Sequence, residues 1–194
     1  MYTLPQQLKT YTDGLGRLGL SALEISAQQD FTTKFGALFE HGPLGFDRNT
    51  LPAHFTASAV LCTGDFSKIL LTHHKKLGKW LQLGGHADGH SALAEVALRE
   101  AQEESGLSDV QLTKPQGELF DIDIHPIPAR GSLAEHFHYD ARYLLTTNSP
   151  EKIRCSEESH ALEWVDIQAS DPASFEPGVA RLLRRLKSAY LLGK

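Results

Sequence analysis

The feature that most constrains this chain is residues 84–107, GGHADGHSALAEVALREAQEESGL. Trp80, Leu81 and Leu83 precede it and look like the end of a buried strand. Its glycines favour a turn, because they let the backbone bend or approach a ligand closely. An apolar stripe at helical spacing follows, made of Leu93, Val96, Ala97 and Ala101. The pattern predicts a strand, a glycine turn and a helix docked on a sheet, ending at Gly106.

Three glutamates fall on one side of this predicted helix. They are Glu100, Glu103 and Glu104, and residues three and four apart on a helix are neighbours. Such carboxylates repel one another, whereas a divalent cation would reverse the sign of that energy. Hard cations such as Mg²⁺ take oxygen ligands and bind substrate phosphates. An acidic run is usually only a solvated helix face, but the glycine turn and Arg99, four residues before Glu103, favour a metal site.

The segment resembles the Nudix box, the signature of the Nudix hydrolases. The family pattern is a glycine, five residues, a glutamate, seven residues, Arg-Glu, an apolar residue, any residue, Glu-Glu, any residue, glycine and an apolar residue. The matching residues, without a gap, are Gly85, Arg99, Glu100, Ala101, Glu103, Glu104, Gly106 and Leu107. One position departs, since Ser91 stands where the family has its early glutamate. We expect Ser91 or Asp88 to cap the helix instead.

The resemblance implies an α/β fold in which a mixed β-sheet is sandwiched between α-helices. It also implies a metal-dependent hydrolase that cleaves the diphosphate bridge of a nucleoside diphosphate linked to another moiety, such as a sugar nucleotide or dinucleotide. The implied cofactor is Mg²⁺ or Mn²⁺. Its implied ligands are the carbonyl of Gly85 and the carboxylates of Glu100, Glu103 and Glu104. Glu103 and Glu104 are also catalytic candidates, and Arg99 is expected to orient Glu103.

The general base often comes from outside the box in this family, in a loop before the last strand. In this chain that loop reads CSEESH, so the candidates are Glu157 and Glu158. Exposed acids in a polar loop are usually only solvated. The resemblance does not choose between the two residues.

Ten histidines are present, and four fall in or beside site elements: His86, His90, His136 and His138. His136 and His138 share one strand face, because their spacing is two. At least one, above all His86 or His138, is a candidate to contact substrate phosphate or to act as a base near neutral pH. A second interpretation is that the histidines bind a transition metal. The simplest interpretation is that they are ordinary strand and loop histidines without a functional role.

Two regions follow from the pattern along the chain. Residues 1–50 are predicted to be a helical N-terminal extension with amphipathic pieces at 18–29 and 31–39, too few residues for a core. Residues 51–194 form the predicted Nudix domain. Alternating and β-branched segments predict its strands, and a closing amphipathic helix is predicted at 174–192. The predicted strands are 54–62, 68–74, 118–128, 136–146 and 161–167.

Composition limits the classes of partner that this chain is expected to bind. The net charge is -5 with no dense basic run, which argues against broad nucleic-acid binding, so a small-molecule substrate is expected. No apolar stretch approaches 18 residues, so no membrane partner is expected. Cys62 and Cys155 are the two cysteines, which with the lack of a secretory signal predicts a reducing, cytoplasmic location. Homodimerisation stays open.

Two further functions were weighed against hydrolysis. A catalytically silent Nudix-fold nucleotide-binding or sensor protein would be favoured by loss of a box glutamate. Here the run from Arg99 to Glu104 is complete. The isomerase branch, acting on isoprenyl diphosphate, needs a cysteine near the substrate, and Cys62 lies too early, in the first core strand.

Overall fold

The computed structural model describes residues 1–17, 20–131, 133–157 and 159–192. Its helices are α1 (Leu4–Gly14), α2 (Ala22–Phe39), α3 (Leu93–Ser105) and α4 (Pro177–Leu192). Its strands are β1 (Ala53–Thr63), β2 (Lys68–His74), β3 (Lys79–Leu81), β4 (Leu83–His86), β5 (Gln111–Leu112), β6 (Asp121–Ile127), β7 (His136–Thr147) and β8 (Ser159–Asp166). No helix in these ranges is long and apolar enough to cross a membrane.

The sheet is built around a long parallel pair, β1 and β7. Their register runs from Ala53 opposite Phe137 to Thr63 opposite Thr147. Strand β1 is buried along its whole length, as expected for a strand covered on both faces. It also pairs antiparallel with β4 and β2, while β2 carries β3 and β8 and β7 carries β5 and β6. The sheet is therefore mixed.

Helices cover both faces of this sheet. Along β1, Ala57, Ala59 and Leu61 join a core cluster that includes residues of α1, α2 and α3. Val60 and Cys62 join the opposite cluster, which includes apolar residues of α4. This division follows from the alternation of side chains along a strand. The predicted mixed sheet between helices is confirmed.

The N-terminal helices pack on the same core as the box helix. Tyr11 and Phe35 are buried in that cluster, and the ring centroids of Phe35 and Phe55 are 5.6 Å apart. The helical N-terminal region is thus confirmed, although residues 22–39 of its two amphipathic pieces form one helix, α2. Residues 18 and 19 of the first piece lie outside the described residues. A capping box of Ser21 and Glu24 starts that helix. Helix α1 was not predicted, and the boundary near residue 50 stays a prediction.

Some predicted boundaries were wrong. The segment around Trp80 forms two short strands, β3 and β4, which pair with β2 and β1 respectively. The two-residue strand β5 was not predicted. Helix α4 begins at Pro177 and not at 174, because proline's fixed φ and missing N–H suit the first turn of a helix.

A buried ionic network joins α4 to β6, β7 and α1. Its charged members are Asp121, Asp123, Asp140, Arg142, Arg181 and Arg185. At its centre Asp121 accepts from Arg142 Nη1 at 3.2 Å, Arg181 Nη2 at 2.8 Å and Arg185 Nη1 at 2.5 Å. Arg185 also donates to the hydroxyl of Tyr11 at 2.8 Å. The N-terminal and C-terminal helices are thereby tied to one buried carboxylate.

Candidate functional site

The box begins in a strand and not in a turn. Gly84 and Gly85 lie in β4, His86 ends it, and Gly85 pairs with Ala57 of β1. The predicted glycine turn at these residues was therefore wrong, because the segment pairs with β1 as one of its three neighbouring strands. The turn comes later and includes Gly89, whose φ of +84° favours glycine.

The predicted helix cap was also wrong. Helix α3 begins at Leu93 with Ala92 at the N-cap, and no side chain caps it. Ser91 is exposed and contributes its backbone carbonyl, which accepts from the N–H of Leu93 at 3.1 Å. Asp88 instead forms a bidentate pair with Arg48, which lowers the pKa of that carboxyl.

Glu104 and Glu100 fasten α3 to β4. Glu104 is 8% exposed, and its Oε1 accepts from the N–H of Gly84 at 2.9 Å. The side chain of Glu100 is 15% exposed and lies against Gly85. A Cβ added at Gly85 would sit 2.5 Å from Glu100 Oε2. The first box glycine is therefore needed for space beside a carboxylate.

Arg99 bridges two of the box acids. Its Nη1 lies 3.4 Å from Glu103 Oε2, as predicted, and its Nη2 lies closer to Glu100 Oε1, at 2.8 Å. Glu103 keeps 59% of its side chain exposed. The three box carboxylates therefore occupy different environments along one helix: one is held by a strand N–H, one lies against a glycine, and one faces solvent.

The space at Gly85 leads to a prediction. Gly85→Ala should weaken metal-dependent activity at least about tenfold, because the new methyl group must displace the Glu100 carboxylate, and tenfold corresponds to about 1.4 kcal/mol. The free energy of unfolding should change little, since the displaced atoms are the end of a flexible side chain. Turnover titrated with Mg²⁺, alongside urea unfolding, measures both. Gly36→Ala, in helix α2 where an added Cβ meets nothing within 4 Å, is the matched control for a glycine substitution. Full activity of Gly85→Ala would contradict this role.

The loop that contains the base candidate Glu157 passes the end of α3. The N–H of Arg154 donates to the carbonyl of Ser105 at 2.7 Å, which brings this loop against the residue after Glu104. Glu157 is exposed, and its carbonyl accepts from Lys75 Nζ at 2.5 Å. Glu158 lies outside the described residues.

Histidines from three strands meet beside the box. The β1–β7 register sets His54 opposite His138, and β4 brings in His86. The ring centroids of these three residues are 4.9–5.3 Å apart. His136 stacks on His54 at 5.0 Å. His90, a sequence candidate, is exposed in the turn and does not belong to the trio.

Sequence reasoning missed His54. Its position at the start of the first core strand was visible, but its partner on β7 is fixed by register, which a single sequence does not reveal. The shared face of His136 and His138 was predicted, and their rings are 5.2 Å apart.

Burial keeps the histidine trio neutral. It lowers the pKa of His86 to about 4, helped by the charge of Arg48, and the pKa of His138 to about 2, helped by His86. The pKa of His54 is lowered by burial as well. These imidazoles are therefore poor proton acceptors near neutral pH, against the sequence hypothesis of a histidine base.

Neither cysteine belongs to this site in the described residues. Cys62 is buried in the α4-side cluster, and burial raises the pKa of its thiol. Cys155 is exposed and its Sγ lies 3.5 Å from the carbonyl of Ser159. Both cysteines are free.

Solved structures resemble this fold. A dihydroneopterin triphosphate pyrophosphohydrolase from E. coli is 15% identical with a TM-score of 0.53, over 70% of this chain and 95% of that chain. An Ap4A hydrolase complex from C. elegans is 19% identical with a TM-score of 0.53, over 72% of this chain and 98% of that chain. At these identities the likeness shows the fold alone.

Sequence comparisons show the family. An m7GpppN-mRNA hydrolase, NUDT17, from Xenopus laevis is 30% identical over 121 residues, which are 57% of this chain. The matched part spans 40% of that relative's length. The family model described as the NUDIX domain matches residues 52–186, more than half of the chain, and this match contains the whole segment from Gly85 to Leu107. The chain therefore belongs to the NUDIX family, whose hydrolases act on phosphoric anhydride bonds.

Proposed function

We propose that this protein is a metal-dependent diphosphatase that cleaves the diphosphate bridge of a nucleoside diphosphate linked to another moiety. One observation carries the proposal: two of the box carboxylates, those of Glu100 and Glu104, lie against β4. Glu104 accepts from the Gly84 N–H, and Glu100 fills the space left by Gly85. Family membership supports hydrolysis of a phosphoric anhydride bond. The diphosphate bridge is the particular bond that we propose.

The donor set fits a hard divalent cation. The proposed ligands are the carbonyl of Gly85 and the carboxylates of Glu100, Glu103 and Glu104, all oxygen donors. Such ligands suit Mg²⁺ or Mn²⁺ rather than a soft ion. When bound, the cation neutralises charge on the phosphate oxygens and stabilises the transition state. The bare Gly85 supports this fit, because a side chain there would push a ligand away.

The protein's own groups position the water and remove its proton. The water oxygen forms a bond to phosphorus as the bond from that phosphorus to the bridging oxygen breaks. The leaving phosphate keeps the bridging oxygen, and the attacked phosphate gains the oxygen of water. The proton passes to a carboxylate. The candidate acceptors are Glu103, which is exposed, and Glu157, which lies in the loop beside the end of α3. Glu158 is the other candidate from the sequence. Arg99 holds Glu100 and Glu103 in position.

His86 and His138 are proposed to lie on the substrate side of the site. As neutral rings they would act on a phosphate through an N–H donor and not through a positive charge. A silent nucleotide-binding or sensor protein is the alternative function. The complete run from Arg99 to Glu104 favours hydrolysis over it.

The substrate classes come from chemistry and from the relatives' names. Solved structures of like fold are named for Ap4A and dihydroneopterin triphosphate, and the curated relative for the mRNA cap. A cap is itself two nucleosides joined by a phosphate bridge, so capped RNA joins the candidates although no nucleic-acid partner was expected. The net charge of -5 favours recognition of such an end over a long RNA backbone.

Turnover should depend on an added divalent cation. Purified protein, stripped by a chelator, is expected to be inactive on a panel of sugar nucleotides, dinucleoside polyphosphates, nucleoside triphosphates and capped RNA. Activity on at least one class should return with Mg²⁺ or Mn²⁺, because the carboxylates then hold the cation. Chromatography of the cleaved nucleotides identifies the class and the bond broken. Full turnover in excess chelator would overturn the mechanism, and binding without cleavage across the panel would favour the sensor.

A further inference from the structure

The histidine trio is built like a ligand set. One ring nitrogen from each of His54, His86 and His138 lies within 4.8 Å of the other two. In the described part of the chain this is the one group of three such side chains that meets this distance. Three strands supply it, so the rings are held by sheet register and not by a mobile loop.

Two of these rings present buried nitrogens without a hydrogen-bond partner. His54 is 1% exposed, and its Nδ1 lies 3.1 Å from the carbonyl of Thr50. Since a carbonyl only accepts, Nδ1 carries the proton and Nε2 keeps its lone pair. Within the described residues, Nε2 of His54 and Nε2 of His138 are buried and unpaired. A buried polar atom without a partner is unfavourable, so a ligand at this point would be favoured.

We propose that His54, His86 and His138 form a second metal site, separate from the carboxylates of the box, for a borderline transition ion of the zinc class. Imidazole nitrogens suit such an ion, whereas Mg²⁺ prefers oxygen. The hydrogen bond from His54 to the Thr50 carbonyl is the outer contact that commonly orients a metal-binding histidine. The site does not depend on the proposed hydrolysis.

The distances allow a tetrahedral ion after a small adjustment. Zinc–nitrogen bonds of about 2.0–2.1 Å place ligand nitrogens about 3.4 Å apart. The trio must therefore close by no more than about 1.4 Å from its 4.8 Å limit, which rotations of the half-buried His86 and His138 rings can supply. His136 stacks on His54 with ring centroids 5.0 Å apart, but it does not belong to the group that meets the 4.8 Å limit.

Three protein ligands leave a fourth position open. This is the arrangement of zinc sites that bind water or substrate, whereas closed structural sites use four protein ligands. His86 follows Gly85 directly, so the open position would lie next to the box. The chemical class that suits it is an anionic oxygen, such as that of a phosphate. This would let His86 and His138 contact a substrate through an ion.

Cobalt(II) alone can test this site. Metal-free full-length protein, with Mg²⁺ in excess to occupy carboxylates, should bind Co²⁺ and show the intense visible bands of tetrahedral coordination, which Zn²⁺ then abolishes. His54→Gln, His86→Gln and His138→Gln should each weaken binding by more than about a hundredfold. His160→Gln, an exposed histidine on β8, is the matched control and should leave the spectrum unchanged.

Two further measurements distinguish the histidine metal site from a folding defect and from the carboxylate site of the box. Thermal unfolding without metal checks each variant, and His86, being half-buried, serves if His54→Gln fails to fold. The double variant Glu100→Gln, Glu104→Gln should keep the cobalt spectrum while losing turnover with Mg²⁺. The site is overturned if the bands never appear, if they survive in folded His86→Gln, or if they vanish with the two glutamates. A cobalt spectrum in a protein with no turnover would support this site and count against the proposed function.

Discussion

Glu104→Gln should lower turnover with Mg²⁺ by at least about a hundredfold, which corresponds to about 2.7 kcal/mol of lost transition-state stabilisation. The amide removes the negative charge that a hard cation needs and keeps the shape of the side chain. Its carbonyl oxygen can still accept from the Gly84 N–H, a contact of 2.9 Å in the native protein. Steady-state kinetics at saturating Mg²⁺ should therefore show that activity is lost, whereas urea unfolding should show a nearly unchanged free energy of unfolding.

Glu95→Gln is the matched control for this change. Glu95 is exposed in the first turn of the same helix and is not a box residue. The control should retain normal turnover, which would show that the loss belongs to position 104 and not to the charge of α3 as a whole. Near-normal turnover in both Glu104→Gln and Glu100→Gln would mean that these acids only fasten α3 to β4 and hold no catalytic metal.

Asp121→Asn should destabilise the fold by about 3–5 kcal/mol, a large share of the roughly 5–15 kcal/mol typical of a domain. Asp121 is fully buried, and Arg142, Arg181 and Arg185 all donate to it. A neutral amide would leave their charges underbalanced in a buried place. Urea unfolding at neutral pH measures the loss, and Asp13→Asn, in an exposed pair with Lys9, is the control, expected within about 0.5 kcal/mol. Equal effects of the two variants would contradict the role of the network.

The carboxylates of Asp121 and Asp123 should also determine how the free energy of unfolding falls at acid pH. Burial alone would raise the pKa of Asp121, but Arg181, Arg185 and Arg142 outweigh it and lower the pKa; Arg142 and Arg181 do the same for Asp123. Their stabilisation is complete above the unfolded value of about 3.9. As pH falls below it, the unfolded chain binds protons first and stability is lost. Unfolding followed between pH 6 and roughly pH 3 should show a shallower acid slope in Asp121→Asn than in the native chain.

The sequence determined the local elements that carry their own period or spacing. The apolar stripe around Val96 and the terminating Gly106 identified α3, which ends with Gly106 at a φ of +70°. Alternation identified β1, β2 and β7 nearly to the residue. The box spacing from Gly85 to Leu107 also identified the family, because glycines, an arginine and glutamates at fixed intervals rarely recur by chance.

Tertiary structure decided everything that depends on partners distant in the chain. Pairing with β1 drew Gly84 and Gly85 into a strand and left Ser91 without a capping role. The same register set His54 against His138, a meeting that no local pattern announces. The reason is physical: helical and strand periods are local properties of the chain, whereas register and burial are settled by contacts among residues far apart in sequence. Those contacts assembled the histidine trio and the buried charges around Asp121.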